Sequence, residues 1–140
     1  MAYGLANYKS DLIAAVASIS GTMLNCTGPT SHPMPVVHLH GTSDAVVSYN
    51  GSNDWNSVQS TLDYWTSFNN TISTPTINTD NTGGMTIEHY SFEQGDNSVS
   101  VEHYKYIGGD HVWFNEPYQG QNASELVWNF MSRYDINGLR

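Results

Sequence analysis

The chain has 140 residues, enough for one domain, and its thirteen acidic residues against four basic ones leave a net charge of −9, which would repel phosphate backbones and anionic lipids and so excludes nucleic-acid and membrane partners. Hydrophobic residues make up 39% and aromatics 12%, enough to pack a core and too much for a disordered tail. Charged residues reach only 12%, while Asn, Ser and Thr occupy 42 positions, so the surface is expected to be polar and largely neutral.

No apolar run approaches the ~20 residues that span a bilayer, and the first residues lack the basic-then-apolar layout of a signal peptide. The chain is expected to be soluble and to form a single domain over residues 1–140. Cys26 is the only cysteine, which excludes an internal disulfide or a multi-cysteine metal site and leaves an ordinary thiol.

Ala2 to Tyr8 reads as the tail of a helix without an N-cap. Leu12 to Ile19 (LIAAVASI) is almost wholly apolar, which suits a strand buried on both faces, and Gly21 ends it. Asn25 to Pro35 is a proline-rich loop, followed by a second short buried strand, Val36 to Leu39, closed by His40-Gly41. Val58, Leu62, Trp65 and Phe68 recur at helical spacing, predicting an amphipathic helix over Ser57 to Phe68. Asn69 to Gly84, rich in Asn, Thr and Ser, reads as a loop.

Thr86 to Glu93 and Ser98 to Ile107 then read as strands joined by a hairpin around Gly95-Asp96-Asn97. A final helix begins at Asn122, with Glu125 placed for a capping box. The expected fold class is α/β. Leu12–Ile19, Val36–Leu39 and Val99–Ile107 form a short parallel sheet, Thr86–Glu93 extends it in the antiparallel sense, and helices cover it.

Two loops carry an ionisable residue just past a predicted strand, where open α/β sheets bind ligands. One is His40-Gly41-Thr42-Ser43-Asp44 and the other Gly108-Gly109-Asp110-His111-Val112-Trp113. Asp44 before His111 is the order in which α/β-hydrolases place the acid and base of a Ser-His-acid triad.

His40-Gly41-Thr42-x-Asp44-x-x-Val47-x-Tyr49-x-Gly51, the Ser57–Phe68 helix and Gly108-Gly109-x-His111-x-Trp113, in that order, resemble the α/β-hydrolase esterases that include polyhydroxybutyrate depolymerases and feruloyl esterases. The resemblance spans nearly the whole chain. It implies a partial α/β-hydrolase fold, Asp44 as triad acid, His111 as base, Trp113 and Phe114 lining an acyl or aromatic pocket, an ester substrate, no cofactor, and secretion. The family's Gly-x-Ser-x-Gly nucleophile elbow has no counterpart among these 140 residues. In the family, a stretch like Met1 to Ala6 follows the elbow, so the resemblance places the serine shortly before Met1, together with the oxyanion-hole donors. The expectation is the C-terminal half of an esterase, inactive alone, with the N-terminal half or a second copy of the chain pairing at the exposed Leu12–Ile19 edge. The rival expectation is a non-catalytic, self-associating domain derived from a hydrolase.

Other candidates are weaker. His38-x-His40 has a spacing that some metal sites use, but such a site needs a third ligand, so no metal is expected and His40 is read as shaping the loop before Asp44. Ser43 lacks the strained strand-to-helix turn that exposes a catalytic serine.

Overall fold

The computed structural model describes residues 1–24 and 27–140, so Cys26 and the start of the proline-rich loop at Asn25 lie outside the described residues. Five strands form one mixed sheet in the order β1-β2-β5-β4-β3: β1 Val16–Ile19, β2 Val36–Gly41, β3 Thr76–Asp80, β4 Ile87–Phe92 and β5 Val101–Tyr106. β1, β2 and β5 run parallel, with Val16 opposite Val36 and Val36 opposite Val101, and β4 and β3 follow antiparallel. The class is α/β. A two-stranded ribbon, β6 Tyr134–Asp135 and β7 Gly138–Leu139, ends the chain.

Three helices cover the two faces. α1 (Ala2–Tyr8) and α2 (Val58–Phe68) pack on one face, where Tyr3, Ala6, Val58, Leu62 and Trp65 meet Val16, Val36 and Val101. α3 (Ala123–Met131) packs on the other, bringing Leu126 and Phe130 against Val37, Leu39, Tyr104 and Tyr106. Full burial of side chains such as Leu39, Ile87 and Phe114 stabilises by roughly 1.5–3 kcal/mol each. α2 starts at Ser57, whose hydroxyl accepts from the Ser60 amide at 3.0 Å. α3 starts with the capping box expected at Asn122 and Glu125. No helix among the described residues is long and apolar enough to cross a membrane.

Three expectations need correction. The apolar run from Leu12 is a strand only from Val16, because Ser10–Leu12 forms a 3-10 turn and Leu12 is exposed. β1 is also not buried on both faces: Val16 and Ser18 are buried, whereas Ala17 and Ile19 are only half covered. Finally, Thr76–Asp80, expected within a loop, is an edge strand with four of its five residues exposed.

Candidate functional site

The site lies where the three parallel strands end. β2 runs into Gly41 and β5 into Gly108-Gly109, and the two turns touch: a Cβ on Gly41 would overlap the Gly109 carbonyl, and one on Gly109 would press on Phe114, Tyr106 and the Gly41 Cα. Glycine at position 41 is therefore a condition for bringing the loops together, and at position 109 a side chain would fit only if its neighbours gave way. The Thr42 amide donates to the Tyr106 carbonyl at 2.9 Å and the Ser43 amide to the Gly109 carbonyl at 2.9 Å. The Gly108 amide in turn donates to Thr42 Oγ1 at 2.8 Å. The end of β1 joins them, since Ser20 Oγ donates to the Val112 carbonyl at 2.9 Å.

This stitching fixes Asp44 and His111, 67 residues apart, with His111 Nδ1 at 2.9 Å from Asp44 Oδ2. The carboxylate is held on both oxygens. Oδ1 accepts from the Val46 and Val47 amides at 2.9 and 2.7 Å. Oδ2 faces His111 and also His40 Nε2, at 3.2 Å. Burial pushes the Asp44 carboxyl up, but the Val47 amide, His111 and the Val46 amide outweigh it and hold it below the usual carboxylate range. An ionised carboxylate only accepts, so the proton between the two residues sits on His111 Nδ1 and leaves Nε2 as the basic nitrogen. The Asp44 side chain is sealed from solvent, whereas the His111 side chain is 38% exposed. Asp110 Oδ1 steadies the imidazole loop by accepting from the His111 amide at 2.7 Å.

Trp113 is 60% exposed and Trp128 69%. Both line a groove of about 480 Å³ with Asn115, Asn122 and Glu125, and Trp113 Nε1 donates to Ser124 Oγ at 3.3 Å. Phe114 borders the same groove, yet it is buried and stacked on Tyr106 with ring centres 3.8 Å apart. It serves chiefly as core beneath the loop. Ser43 lies exposed in the turn after β2 rather than between a strand and a helix. Another cleft, of about 560 Å³, opens between α2 and β4, lined by Asp63, Tyr90 and Lys105 among others. Two of its polar groups are engaged by one carboxylate, Glu88, which takes Tyr90 at 2.8 Å and Lys105 at 3.2 Å. His103 also lines this cleft, but it is buried with both ring nitrogens engaged, by the His38 carbonyl and the Tyr49 hydroxyl, whereas His111 at the strand ends is open.

His38 and His40 lie on the α1–α2 face of β2 with their rings stacked 5.3 Å apart. Every ring nitrogen of the pair has a protein partner: Tyr3 and His40 for His38, and His38 and the Val47 carbonyl for His40. No cluster of His, Cys, Asp or Glu suited to a metal ion occurs among the described residues. His40 takes the loop-shaping place expected of it. The parts that sequence reasoning missed are Ser20, Tyr3 and His38. The only signals for them were a serine before Gly21 at a strand end and the period-two spacing of two histidines.

No protein-family model matches this chain, and no curated protein does.

Proposed function

We propose that this chain is the acid-and-base portion of a serine ester hydrolase with a partial α/β-hydrolase fold, of the polyhydroxybutyrate depolymerase or feruloyl esterase kind. Asp44 is the acid and His111 the base, and the serine comes from a segment outside these 140 residues. The observation that carries this reading is the 2.9 Å His111 Nδ1–Asp44 Oδ2 bond at the ends of adjacent parallel strands, with the carboxylate buried and the imidazole open.

In the reaction, the serine oxygen bonds to the ester carbonyl carbon while its proton passes to His111 Nε2. Asp44 stabilises the imidazolium that forms. Collapse of the tetrahedral intermediate breaks the bond to the alkoxy group, which leaves with the proton returned by His111. Water then attacks the acyl-enzyme by the same route and regenerates the serine. The groove lined by Trp128 and by Trp113, two residues after His111 in the chain, offers aromatic side chains for the acyl or aromatic part of the substrate.

The sheet supports this arrangement because, among the described residues, β1 pairs only with β2, leaving its outer edge for the strand that leads into the nucleophile turn. The same open edge favours a second reading, a self-associating domain without catalysis, in which a second copy pairs there. The test is to supply the chain with an N-terminal half carrying a Gly-x-Ser-x-Gly turn and to follow hydrolysis of short-chain esters. Hydrolysis that disappears when that serine becomes alanine supports the enzyme. Background hydrolysis with a stable, defined homo-oligomer supports the second reading.

A further inference from the structure

Behind Asp44 runs a buried line of hydrogen bonds that the acid–base pair does not by itself require. Tyr3 Oη on α1 lies 2.5 Å from His38 Nδ1, His38 Nε2 lies 3.1 Å from His40 Nδ1, and His40 Nε2 lies 2.8 Å from the Val47 carbonyl and 3.2 Å from Asp44 Oδ2. His38 and His40 are fully buried and Tyr3 nearly so.

Proton positions along this line follow from its end. His40 Nε2 faces only acceptors, a carbonyl and a carboxylate, so in the neutral ring the proton sits on Nε2 and Nδ1 accepts. His38 must then donate from Nε2, and its Nδ1 accepts the Tyr3 hydroxyl proton. Burial, reinforced by the neighbouring His103 and His40, pushes His38 well below its ordinary range and keeps it neutral. His103 flanks the line with the opposite tautomer, since its Nδ1 faces the His38 carbonyl at 2.9 Å and its Nε2 faces the Tyr49 hydroxyl at 2.8 Å. Every donor on the line therefore points toward Asp44.

We propose that His40 is a positioning residue for Asp44: the His38–Tyr3 pair behind it holds it as a donor to the Val47 carbonyl, which pins the turn whose amides hold the carboxylate and keeps the His40 Nε2–H beside Oδ2. The backbone amides of Val46 and Val47 fix only Oδ1; His40 donates to the Val47 carbonyl and sets its Nε2–H 3.2 Å from Oδ2, the oxygen that accepts the His111 Nδ1–H hydrogen bond. Its catalytic consequence rests on the reading of Asp44 and His111 as acid and base, but its test reads proton positions and is independent of ester hydrolysis.

The experiment is nitrogen-resolved NMR of the histidine rings at neutral pH in the full chain and in His40→Phe and His40→Gln. The expected pattern in the unsubstituted chain is protonation at Nε2 in His38 and His40 and at Nδ1 in His103 and His111. In His40→Phe, the His111 Nδ1 proton should exchange with water roughly tenfold or more faster, as loss of the hydrogen bond that pins the Val47 turn and of the N–H beside Oδ2 implies. His40→Gln keeps an N–H near the Nε2 position and should restore slow exchange. A proton on Nδ1 of His40 in the unsubstituted chain overturns the proposal without any variant. So does unchanged His111 exchange in folded His40→Phe, or failure of folded His40→Gln to slow it.

Discussion

Among the described residues, two carboxylate–histidine pairs occur at the same 2.9 Å separation, Asp44 with His111 and Glu102 with His89. Distance alone does not tell them apart. Glu102 sits in β5, inside the sheet on the α3 face, and is also engaged by Arg133 at 2.5 Å. His89 is stacked on Tyr104 with ring centres 4.3 Å apart and meets Tyr118 edge-on. Its ring is enclosed by aromatics and the carboxylate charge is already answered by a cation. Among the described residues, Asp44 has no Arg or Lys partner, and His111 projects from a loop at the strand ends with no partner on Nε2. The lesson is that a pair becomes a candidate for chemistry through an open base beside a sealed acid, whereas a shared cation and stacked rings mark a pair that holds elements together.

The largest separation between the pairs should appear in catalysis. In a protein completed with the nucleophile segment, Asp44→Asn is expected to lower kcat about 10⁴-fold, the scale of losing a triad acid. Glu102→Gln should leave the rate per folded molecule unchanged, and steady-state kinetics on both variants checks this.

The next effect is on stability in acid. Burial, together with His40, Lys105 and His89, outweighs the His38 carbonyl contact and lowers His103 to about 3, and burial first of all lowers His38 as well. Both therefore have folded pKa values below the ~6.5 of an unfolded histidine. Below that value the unfolded chain binds more protons, so stability present above about pH 6.5 is lost as pH falls, at up to about 1.4 kcal/mol per pH unit for each histidine. Denaturant unfolding between pH 7 and 5 should show this decline, and replacing His103 by glutamine should flatten it. Asp44 and Glu102, both held below the ordinary carboxylate range despite burial, add a further loss only as pH falls below about 4.

Two smaller effects sharpen the contrast. Gly41→Ala must push the Asp44 and His111 loops apart, at a cost of about 1–3 kcal/mol, and should abolish the slowly exchanging His111 Nδ1 proton while sparing the Glu102–His89 pair. Arg133→Ala leaves Glu102 with His89 alone and should lower stability by about 1–3 kcal/mol without altering the His111 signal. Thermal unfolding and NMR on the two variants read both outcomes.

Much of the fold was legible because its elements bury apolar side chains at regular spacing. Val58, Leu62 and Trp65 mark α2, the Asn122–Glu125 box marks the start of α3, and the runs VASI and VVHL mark β1 and β2. The strand Thr76–Asp80 escaped because an exposed edge of Thr and Asn carries no apolar alternation. Its place is secured by Asp80, whose carboxylate takes the Gln119 and Thr82 amides, a contact that no local pattern reveals. In β5, Val101 faces α1 and α2 whereas Tyr104 and Tyr106 face α3, so its three apolar residues do not form one stripe. Asp44 and His111 were legible from their Gly-rich loops. Tyr3, His38 and His40 were not legible as a unit, since only the packing of α1 on β2 brings the tyrosine to the histidines.

On the proposed function, these residues hold an acid and a base but no nucleophile. The most direct measurement is hydrolysis of a short-chain chromogenic ester by the purified chain beside its His111→Ala variant, with the mass in solution recorded on the same sample. The expected result is background hydrolysis by both proteins. Turnover that His111→Ala abolishes would contradict it, because the nucleophile would then lie within these 140 residues.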